Sequence, residues 1–162
     1  MPLEIERKFH VRQDWQLPPG AVRKAVRQGY LSPEGAPTEV RVRATDDRYV
    51  MTVKAPRSTG QGGPSVRAEV EFPVSKEVFD ELWELAPDRI DKERWTLTLD
   101  GSGAVATVDV YAGAHIGLRV VEVEFDSVEA ADAFEPPAWF GEDVSGRPEW
   151  GNRHLARGSA TV

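Results

Sequence analysis

The sequence contains no cysteine, only three histidines and no long apolar segment. Without cysteine, disulfides and thiolate metal sites are excluded, so a metal ion would have to be held by oxygen ligands or by the scattered histidines. No apolar run approaches the length that spans a membrane, and no signal-peptide-like hydrophobic stretch follows the N-terminus. We therefore expect a cytoplasmic protein.

A basic excess is also missing, because 20 Lys and Arg residues stand against 27 Asp and Glu, which gives a formal net charge of −7 at pH 7. Proteins that bind nucleic acids or membrane surfaces non-specifically depend on an excess of positive charge, so we expect neither partner. The 162 residues suffice for one domain with a sizeable core, and no repeat divides them. We predict a single domain over residues 1–162 and leave a homodimer open.

The sequence does contain a regular alternation of apolar and polar residues. Eight segments alternate apolar and polar side chains as β-strands do. They cover residues 3–11, 22–31, 38–45, 48–55, 66–74, 90–99, 104–111 and 118–125. Most of the connections are too short for the crossover helices of a parallel sheet, so antiparallel pairing is predicted. Ser75 and Ser127 are candidate N-caps of two helices, residues 151–157 are a candidate third helix, and the stretch 56–64, rich in Gly, Ser and Pro, is predicted to be a mobile loop.

The polar faces of these strands carry formal charges sorted by strand. The acidic pairs are Glu4/Glu6 and Glu122/Glu124, the basic pairs are Arg41/Arg43 and Lys92/Arg94, and the single bases are Lys8 and Lys54. The opposite, apolar faces are short and need cover, which the helices could supply. A closed eight-stranded antiparallel β-barrel satisfies both demands, with helices packed outside and the charged faces turned into a wet lumen. The predicted fold class is α+β, mainly antiparallel β.

Such a lumen needs counter-charges of both signs. Crowded carboxylates repel each other and take up protons, and buried arginines without partners are costly. A divalent cation resolves the first problem, and paired carboxylates suit a hard ion such as Mg²⁺ or Mn²⁺. A polyanion resolves the second, since Arg and Lys suit phosphate oxygens. The pattern predicts a metal-dependent site for a small, highly charged phosphate compound.

An ordered series of short motifs runs through nearly the whole chain. It comprises Glu4-x-Glu6-x-Lys8, Gln28-Gly29-Tyr30-Leu31, Arg41-x-Arg43, Thr52-x-Lys54, Glu69-x-Glu71, Lys92-x-Arg94, Val108-Asp109-Val110, Gly117-Leu118, Glu122-x-Glu124, Asp143-Val144-Ser145 and Trp150-x-Asn152-x-x-Leu155-Ala156. In order and approximate spacing this series resembles the CYTH, or triphosphate tunnel metalloenzyme, family. The first motif alone is a weak signal, whereas the ordered set is specific.

The resemblance implies an eight-stranded tunnel that binds a triphosphate end-on with one or two divalent cations, Mg²⁺ or Mn²⁺. Carried over by position, the metal carboxylates would be Glu4, Glu6, Glu122 and Glu124, and the further acidic wall would be Glu69, Glu71 and Asp109. The phosphate-binding residues would be Lys8, Arg41, Arg43, Lys54, Lys92 and Arg94. Glu6, Lys8 and Arg41 would form the catalytic set.

Three functions remain open at this point. The first is hydrolysis of inorganic tripolyphosphate to pyrophosphate and phosphate, which the compact bacterial-type members suggest. The second is a class IV-type adenylate cyclase, or an organic triphosphatase acting on ATP or thiamine triphosphate. Such cyclases tend to carry a His-Phe pair upstream of the first motif, where this chain has only Met1-Pro2-Leu3. The third is a non-catalytic triphosphate- or polyphosphate-binding module, which would gain nothing from the paired acids. Tripolyphosphate hydrolysis is the preferred prediction.

Overall fold

A computed structural model of the protein describes residues 3–56 and 65–157. Its strands are β1 (Leu3–Val11), β2 (Val22–Tyr30), β3 (Glu39–Thr45), β4 (Arg48–Pro56), β5 (Ser65–Pro73), β6 (Asp88–Thr98), β7 (Val105–Tyr111), β8 (Arg119–Glu124) and β9 (Phe140–Asp143). Its α-helices are α1 (Lys76–Leu85), α2 (Val128–Ala133) and α3 (Asn152–Leu155), and short 3₁₀ turns occupy Gly113–His115 and Pro148–Trp150. Apart from Pro56, the loop predicted over 56–64 lies outside the described residues.

Eight of the strands form a closed ring in the order β5-β4-β3-β2-β6-β7-β8-β1, and β1 returns to pair with β5. Neighbouring strands run antiparallel throughout. The closing pair sets Leu3 opposite Ala68 and Glu6 opposite Ser65. The predicted closed eight-stranded antiparallel barrel is therefore confirmed.

The ninth strand is a feature that the sequence did not predict. β5 pairs only with the first half of β1, and β9 pairs along the second half, with Phe9 opposite Asp143 and Val11 opposite Phe140. The ladder continues where the Val144 N–H donates to the Lys8 carbonyl at 2.9 Å. Four residues that include a glycine are too few to show alternation, and their backbone groups are paired only because β5 leaves an edge of β1 free.

Many apolar residues of the barrel walls face outward, and α1 and α2 cover part of them, whereas Val22, Val70 and Val105 stay exposed. Ser75 caps α1 by accepting a hydrogen bond from the Val78 N–H at 3.1 Å, as the sequence predicts. The helix buries Phe79 against Val42 and Ala44 on the outside of β3. This packing fixes one wall of the barrel from outside and leaves the other face of the same strand for charged side chains.

A second apolar cluster covers the opposite wall, where Phe9, Val121 and Val123 pack beneath Phe134 at the end of α2. Arg7 interrupts this outward face. Its Nη1 donates to the carbonyls of Ala131 and Phe134 at 3.1 and 3.0 Å, and its Nη2 reaches Asp143 at 2.9 Å. The charged residue in the apolar face of β1 thus ties α2 and β9 to the barrel.

The helix α3 lies at one end of the tunnel rather than outside it. Leu155 and Ala156 pack against inward-pointing residues of four strands, Tyr30, Ile90, Tyr111 and Val120. His115 holds the helix end, with Nε2 2.6 Å from the Leu155 carbonyl oxygen. Part of that end of the tunnel is therefore filled by apolar side chains. No helix among the described residues is long and apolar enough to cross a membrane.

Candidate active site

The barrel encloses a charged cavity of about 630 Å³ that runs from the β1–β5–β8 wall to the C-terminal segment. Its charged barrel residues are Glu4, Glu6, Lys8, Glu39, Arg41, Arg43, Lys54, Arg67, Glu69, Glu71, Arg94, Glu122 and Glu124. They alternate with the outward apolar residues along each strand. The inward charged faces predicted from the sequence thus meet in one space.

Three carboxylates gather at one side of this cavity. One oxygen each of Glu4, Glu6 and Glu124 lies within 4.8 Å of the others. The register explains the grouping, because Glu6 stands opposite Glu124 in the β1–β8 pair and Glu4 lies two residues earlier on the same face of β1. Oxygen-only donors at this spacing fit a hard divalent cation.

At Glu6 the surroundings oppose ionisation, although Lys54 and Arg67 place positive charge on the same cluster. Burial, followed by the neighbouring charges of Glu122 and Glu4, raises the pKa of Glu6 to about 8. A carboxylic acid that stays protonated near neutral pH is what crowding of like charges produces. A cation among these oxygens would remove the repulsion, so the residues present fit the metal ion that the sequence predicts.

Glu122 adjoins the three-carboxylate group, because its side chain hydrogen-bonds to that of Glu6. Its Oε1 lies 3.1 Å from Nζ of Lys8, and each of these side chains is about one-eighth exposed. Burial opposes ionisation of Glu122, but the charges of Lys8 and Arg94 hold its pKa well below the usual range. Of the four predicted metal ligands, three lie within 4.8 Å of one another, and the fourth hydrogen-bonds to one of them while it pairs with a predicted phosphate ligand.

Arg43 provides positive charge without a carboxylate partner. Its Nε donates to Oε1 of Gln28 at 3.0 Å, and the part of the chain that the structure describes places no carboxylate within ion-pair distance of it. Burial, and then the charges of Arg41 and Arg94, lower the pKa of Arg43 to about 9. Arg41 is nearly enclosed, its Nε has no hydrogen-bond partner, and its ion pair with Glu39 is long at 3.6 Å. This wall of the cavity is short of negative charge.

Lys92 and Asp109 form a fully buried ion pair at 2.6 Å behind the cavity wall. Asp109 also receives a two-point contact from Arg94, whose Nε and Nη2 lie 2.8 and 3.0 Å from its oxygens. Arg94 lines the cavity, whereas Lys92 and Asp109 do not. Lys92 is held there by Asn152, whose Oδ1 accepts from Lys92 at 3.3 Å and from the Tyr111 hydroxyl.

Lys54 faces the acidic side of the cavity. Its Nζ lies 2.7 Å from Glu4 and 3.5 Å from Glu69. The hydrogen bond with Glu4, and then burial, raise the pKa of Glu69 to about 7. Glu71 accepts from the Thr52 hydroxyl at 3.3 Å and lies 3.7 Å from Arg48. Glu69 and Glu71 thus act as salt-bridge and hydrogen-bond partners on this wall, next to the three-carboxylate group.

Arg67 is a residue of the site that the sequence reasoning missed. Its Nη2 lies 3.1 Å from Glu4 and 2.9 Å from Glu6, so one guanidinium nitrogen contacts two of the clustered carboxylates. The signal was available, because Arg67 alternates in phase with Glu69 and Glu71 on β5. It belongs to none of the motifs that carry the family resemblance, and this is why it was not selected.

Comparisons with known proteins agree with this geometry. The CYTH domain model matches residues 2–143. A relative from Nitrosomonas europaea named inorganic triphosphatase is 39% identical over 155 residues, which cover 94% of this chain and 96% of the relative. A second of the same name, from Acetivibrio thermocellus, is 32% identical over 161 residues, covering 97% of this chain and 95% of the relative.

The solved structures include the crystal structure of the inorganic triphosphatase NE1496. It superimposes with a TM-score of 0.69 at 36% identity and covers 96% of this chain and 95% of that one. The same closed barrel is therefore shared along nearly the whole of both chains. From the matched model and these relatives, the chain belongs to the CYTH domain family.

Proposed function

We propose that this protein is a metal-dependent triphosphatase that hydrolyses inorganic tripolyphosphate to pyrophosphate and phosphate inside the barrel. Both curated relatives that cover the chain from end to end carry the name inorganic triphosphatase. Hydrolysis of a phosphoanhydride bond is also what a site with separate cation-binding and anion-binding walls is suited to perform.

One observation carries the proposal: Arg43 lines the cavity without a carboxylate partner among the described residues, and it lies across that cavity from three crowded carboxylates. A buried guanidinium is stable when an anion compensates it, and phosphate oxygens match its donors. A substrate with several closely spaced negative charges satisfies Arg43 and Arg41 while its other end approaches the acidic wall.

Glu4, Glu6 and Glu124 are the residues that would hold the metal ion, which we propose to be Mg²⁺ or Mn²⁺ because all the donors are carboxylate oxygens. When bound, the ion supplies Lewis-acid stabilisation of the phosphoryl oxygens. Glu122, which hydrogen-bonds to Glu6, remains the fourth proposed metal ligand, and it also holds Lys8 in place at 3.1 Å. Asp109 contributes in the same way, by positioning Arg94.

The basic side chains of the wall bind and orient the substrate. Lys8, Arg41, Arg43, Lys54 and Arg94 all line the cavity and are proposed as the phosphate ligands. Lys92 is kept among the proposed phosphate-binding residues for the positive charge that it adds near the cavity. It would not contact a phosphate directly, because Asp109 and Asn152 hold its ammonium behind the wall. Among these, Glu6, Lys8 and Arg41 remain the proposed catalytic set. All three line the cavity, and Lys8 and Arg41 are cations suited to stabilise the charge that develops on the leaving pyrophosphate.

Three further predictions complete the proposal. The whole chain, residues 1–162, forms one CYTH domain, since the segment after the barrel, from β9 to α3, supplies an edge strand and fills one tunnel end. The protein acts in the cytoplasm on a small-molecule triphosphate and not on nucleic acid or membranes. A homodimer remains open.

A single assay tests the function against its alternatives. The protein is incubated with tripolyphosphate, ATP or thiamine triphosphate and with Mg²⁺ or Mn²⁺, and phosphate, pyrophosphate and cyclic AMP are measured. We expect phosphate and pyrophosphate in equal amounts from tripolyphosphate, and little turnover of the two organic triphosphates. Cyclic AMP from ATP would identify a cyclase, and tight binding without turnover of any compound would identify a binding module; either result refutes the proposal.

A further inference from the structure

The guanidinium of Arg67 lies on the carboxylates that are proposed to hold the metal ion. Nη2 is 3.1 Å from Oε1 of Glu4 and 2.9 Å from Oε1 of Glu6. The charges of Glu6 and Glu4 hold the pKa of Arg67 above its usual range despite burial. The side chain therefore supplies at this place the positive charge that a divalent cation would otherwise supply.

The backbone of Arg67 is fixed on both sides. It stands directly opposite Glu4 in the β1–β5 pair that closes the barrel, and opposite Pro56 in the β4–β5 pair. Cross-strand neighbours of this kind are a few ångströms apart at Cβ, so the long side chain has length to spare. A change of partner by Arg67 needs only a side-chain rotation.

The contact of Arg67 with its partners is incomplete. Both carboxylates are reached by the single nitrogen Nη2, and the buried Nε of Arg67 has no hydrogen-bond partner. A two-point contact, such as the one Arg94 makes with Asp109, uses two nitrogens on one carboxylate and is stronger. The one-nitrogen arrangement leaves donors unused and is the easier one to displace.

The unused donors of Arg67 belong to a side chain that lines the cavity shared with Lys8 and Arg41, where the phosphates are proposed to bind. A divalent cation among Glu4, Glu6 and Glu124 repels the guanidinium and competes with it for the same oxygens. A triphosphate in the cavity offers that guanidinium a new anionic partner. Binding of the triphosphate thereby draws Arg67 away from the carboxylates that bind the cation. Since such a linkage is reciprocal, binding of the cation also favours binding of the triphosphate.

We propose that Arg67 is a displaceable counter-ion, which holds Glu4 and Glu6 when no metal is bound and moves to a substrate phosphate when the divalent cation enters. Metal loading and triphosphate binding thereby favour each other. The identity of the anion rests on the proposed function. The effect of Arg67 on the metal-binding carboxylates does not, because it can be measured without substrate.

The first test is the Mg²⁺ affinity of the metal-free, substrate-free protein, measured by isothermal titration calorimetry at pH 8.5, above the pKa of about 8 of Glu6. Arg67→Gln removes the competing charge, and we expect it to bind Mg²⁺ at least about fivefold more tightly than the wild type, the lower end of typical linkage factors. Arg67→Lys keeps a cation and should bind nearly as the wild type does. Equal or weaker Mg²⁺ binding by Arg67→Gln overturns the proposal.

The matched control is Arg23→Gln, an exposed arginine that pairs with Glu93 on the outside of the barrel, which should leave the Mg²⁺ affinity unchanged. Circular dichroism and the melting temperature show whether each variant folds. Should Arg67→Gln not fold, Arg67→Met keeps the apolar stem of the side chain, is subject to the same expectation and decides the question.

The second test measures the linkage with imidotriphosphate, in which imido groups replace the bridging oxygens. In the wild type the compound should tighten Mg²⁺ binding, and in Arg67→Gln the tightening should be about fivefold smaller. An unchanged factor contradicts the transfer of Arg67 to phosphate. The two proposals can fail separately. If the wild type does not hydrolyse tripolyphosphate but Arg67→Gln binds Mg²⁺ more tightly, only the proposed function is refuted. If the wild type is active but Arg67→Gln has the Mg²⁺ affinity of the wild type, only this inference is refuted.

Discussion

The ammonium of Lys92 lies 2.6 Å from Oδ2 of Asp109, and neither side chain is exposed to solvent. Asp109 also holds Arg94 on its other side, so one carboxylate compensates two cations. Burial, and then the charge of Arg94, lower the pKa of Lys92 to about 7 even with Asp109 in contact. The pair therefore links the stability of the barrel to the orientation of a cavity arginine.

Replacing Asp109 should destabilise the protein severely. Asp109→Ala removes the carboxylate that compensates the buried Lys92 and the cavity-lining Arg94, and removal of one member of a buried pair costs about 3–5 kcal/mol. Lys92→Met should cost less, because Asp109 keeps Arg94 as its partner. The free energy of unfolding from urea titration measures both. Asp132→Ala, in the exposed part of α2, is the control and should change it by less than about 0.5 kcal/mol. Equal costs for Asp109→Ala and Lys92→Met would contradict the asymmetry.

Glu124→Gln should strongly weaken metal binding with little effect on the fold. Among the described residues Glu124 is the member of the three-carboxylate group without an ion-pair partner, so its replacement breaks no salt bridge. We expect at least about a hundredfold loss of kcat, as when one charge-stabilising group is lost from an active site, and a correspondingly weaker Mg²⁺ affinity. Calorimetry and phosphate release measure the two effects.

The control for that variant is Glu77→Gln, in the first turn of α1 and exposed to solvent. It should retain full activity and Mg²⁺ affinity. Wild-type activity of Glu124→Gln, with an unchanged melting temperature, would show that this carboxylate does not serve the metal.

Arg43→Gln should separate binding from stability. The side chain is proposed to contact phosphate but is uncompensated in the free protein, so its loss should lower kcat/KM for tripolyphosphate by about 10²–10³-fold. The melting temperature should stay the same or rise, since an unpaired buried charge is removed. Arg12→Gln, an exposed residue that pairs with Asp14, is the matched control and should alter neither quantity. A large fall in melting temperature with unchanged kinetics would assign Arg43 a structural role.

The Mg²⁺ affinity should depend on pH through Glu6. The pKa of this carboxyl is raised to about 8 in the metal-free protein, so below pH 8 it must lose a proton before it can bind the cation. The affinity should therefore rise about tenfold per pH unit from pH 6 to 8 and level off above. Calorimetry in buffers of different ionisation enthalpy would detect the released proton.

The same raised pKa has a consequence for stability. In the metal-free protein the folded state keeps a proton on Glu6 that the unfolded state releases near pH 4.5, so this group's contribution to stability falls as the pH rises from about 4.5 to 8. Glu6→Gln should flatten that part of the stability profile and abolish the proton-linked Mg²⁺ binding. A Mg²⁺ affinity that is constant between pH 6 and 8 would rule out both expectations.

Much of the fold could be predicted from local pattern. In each of the eight barrel strands, apolar and polar residues alternate, and this pattern can be recognised without knowing which strand pairs with it. Ser75 and Ser127 predict the starts of their helices because N-capping is a local hydrogen bond. β9 could not be predicted in this way. Its four residues become a strand only because the second half of β1 leaves backbone groups that β5 does not pair.

The candidate site, like the fold, could be predicted only in part from the sequence. The acidic and basic pairs were recognisable because period-2 charges on a strand share a face. Which of them meet depends on the register between strands that are distant in sequence. Pairing of β8 with β1 brings Glu122 onto Lys8 and Glu6, and pairing of β5 with β1 brings Arg67 onto Glu4. No local pattern carries that information.

The sequence by itself determined that charged faces turn inward, that acids and bases lie on different strands, and that oxygen ligands and phosphate-binding cations would share one barrel. These properties follow from the alternation and the residue types within each single strand. Only the tertiary structure decided which charges are satisfied. Closure of the barrel buried Lys92 against Asp109 and set Arg67 on Glu4 and Glu6, and within residues 3–56 and 65–157 it left Arg43 without a carboxylate. Ion-pair energies depend on distance and desolvation, and both are fixed only when the last strand pairs with the first.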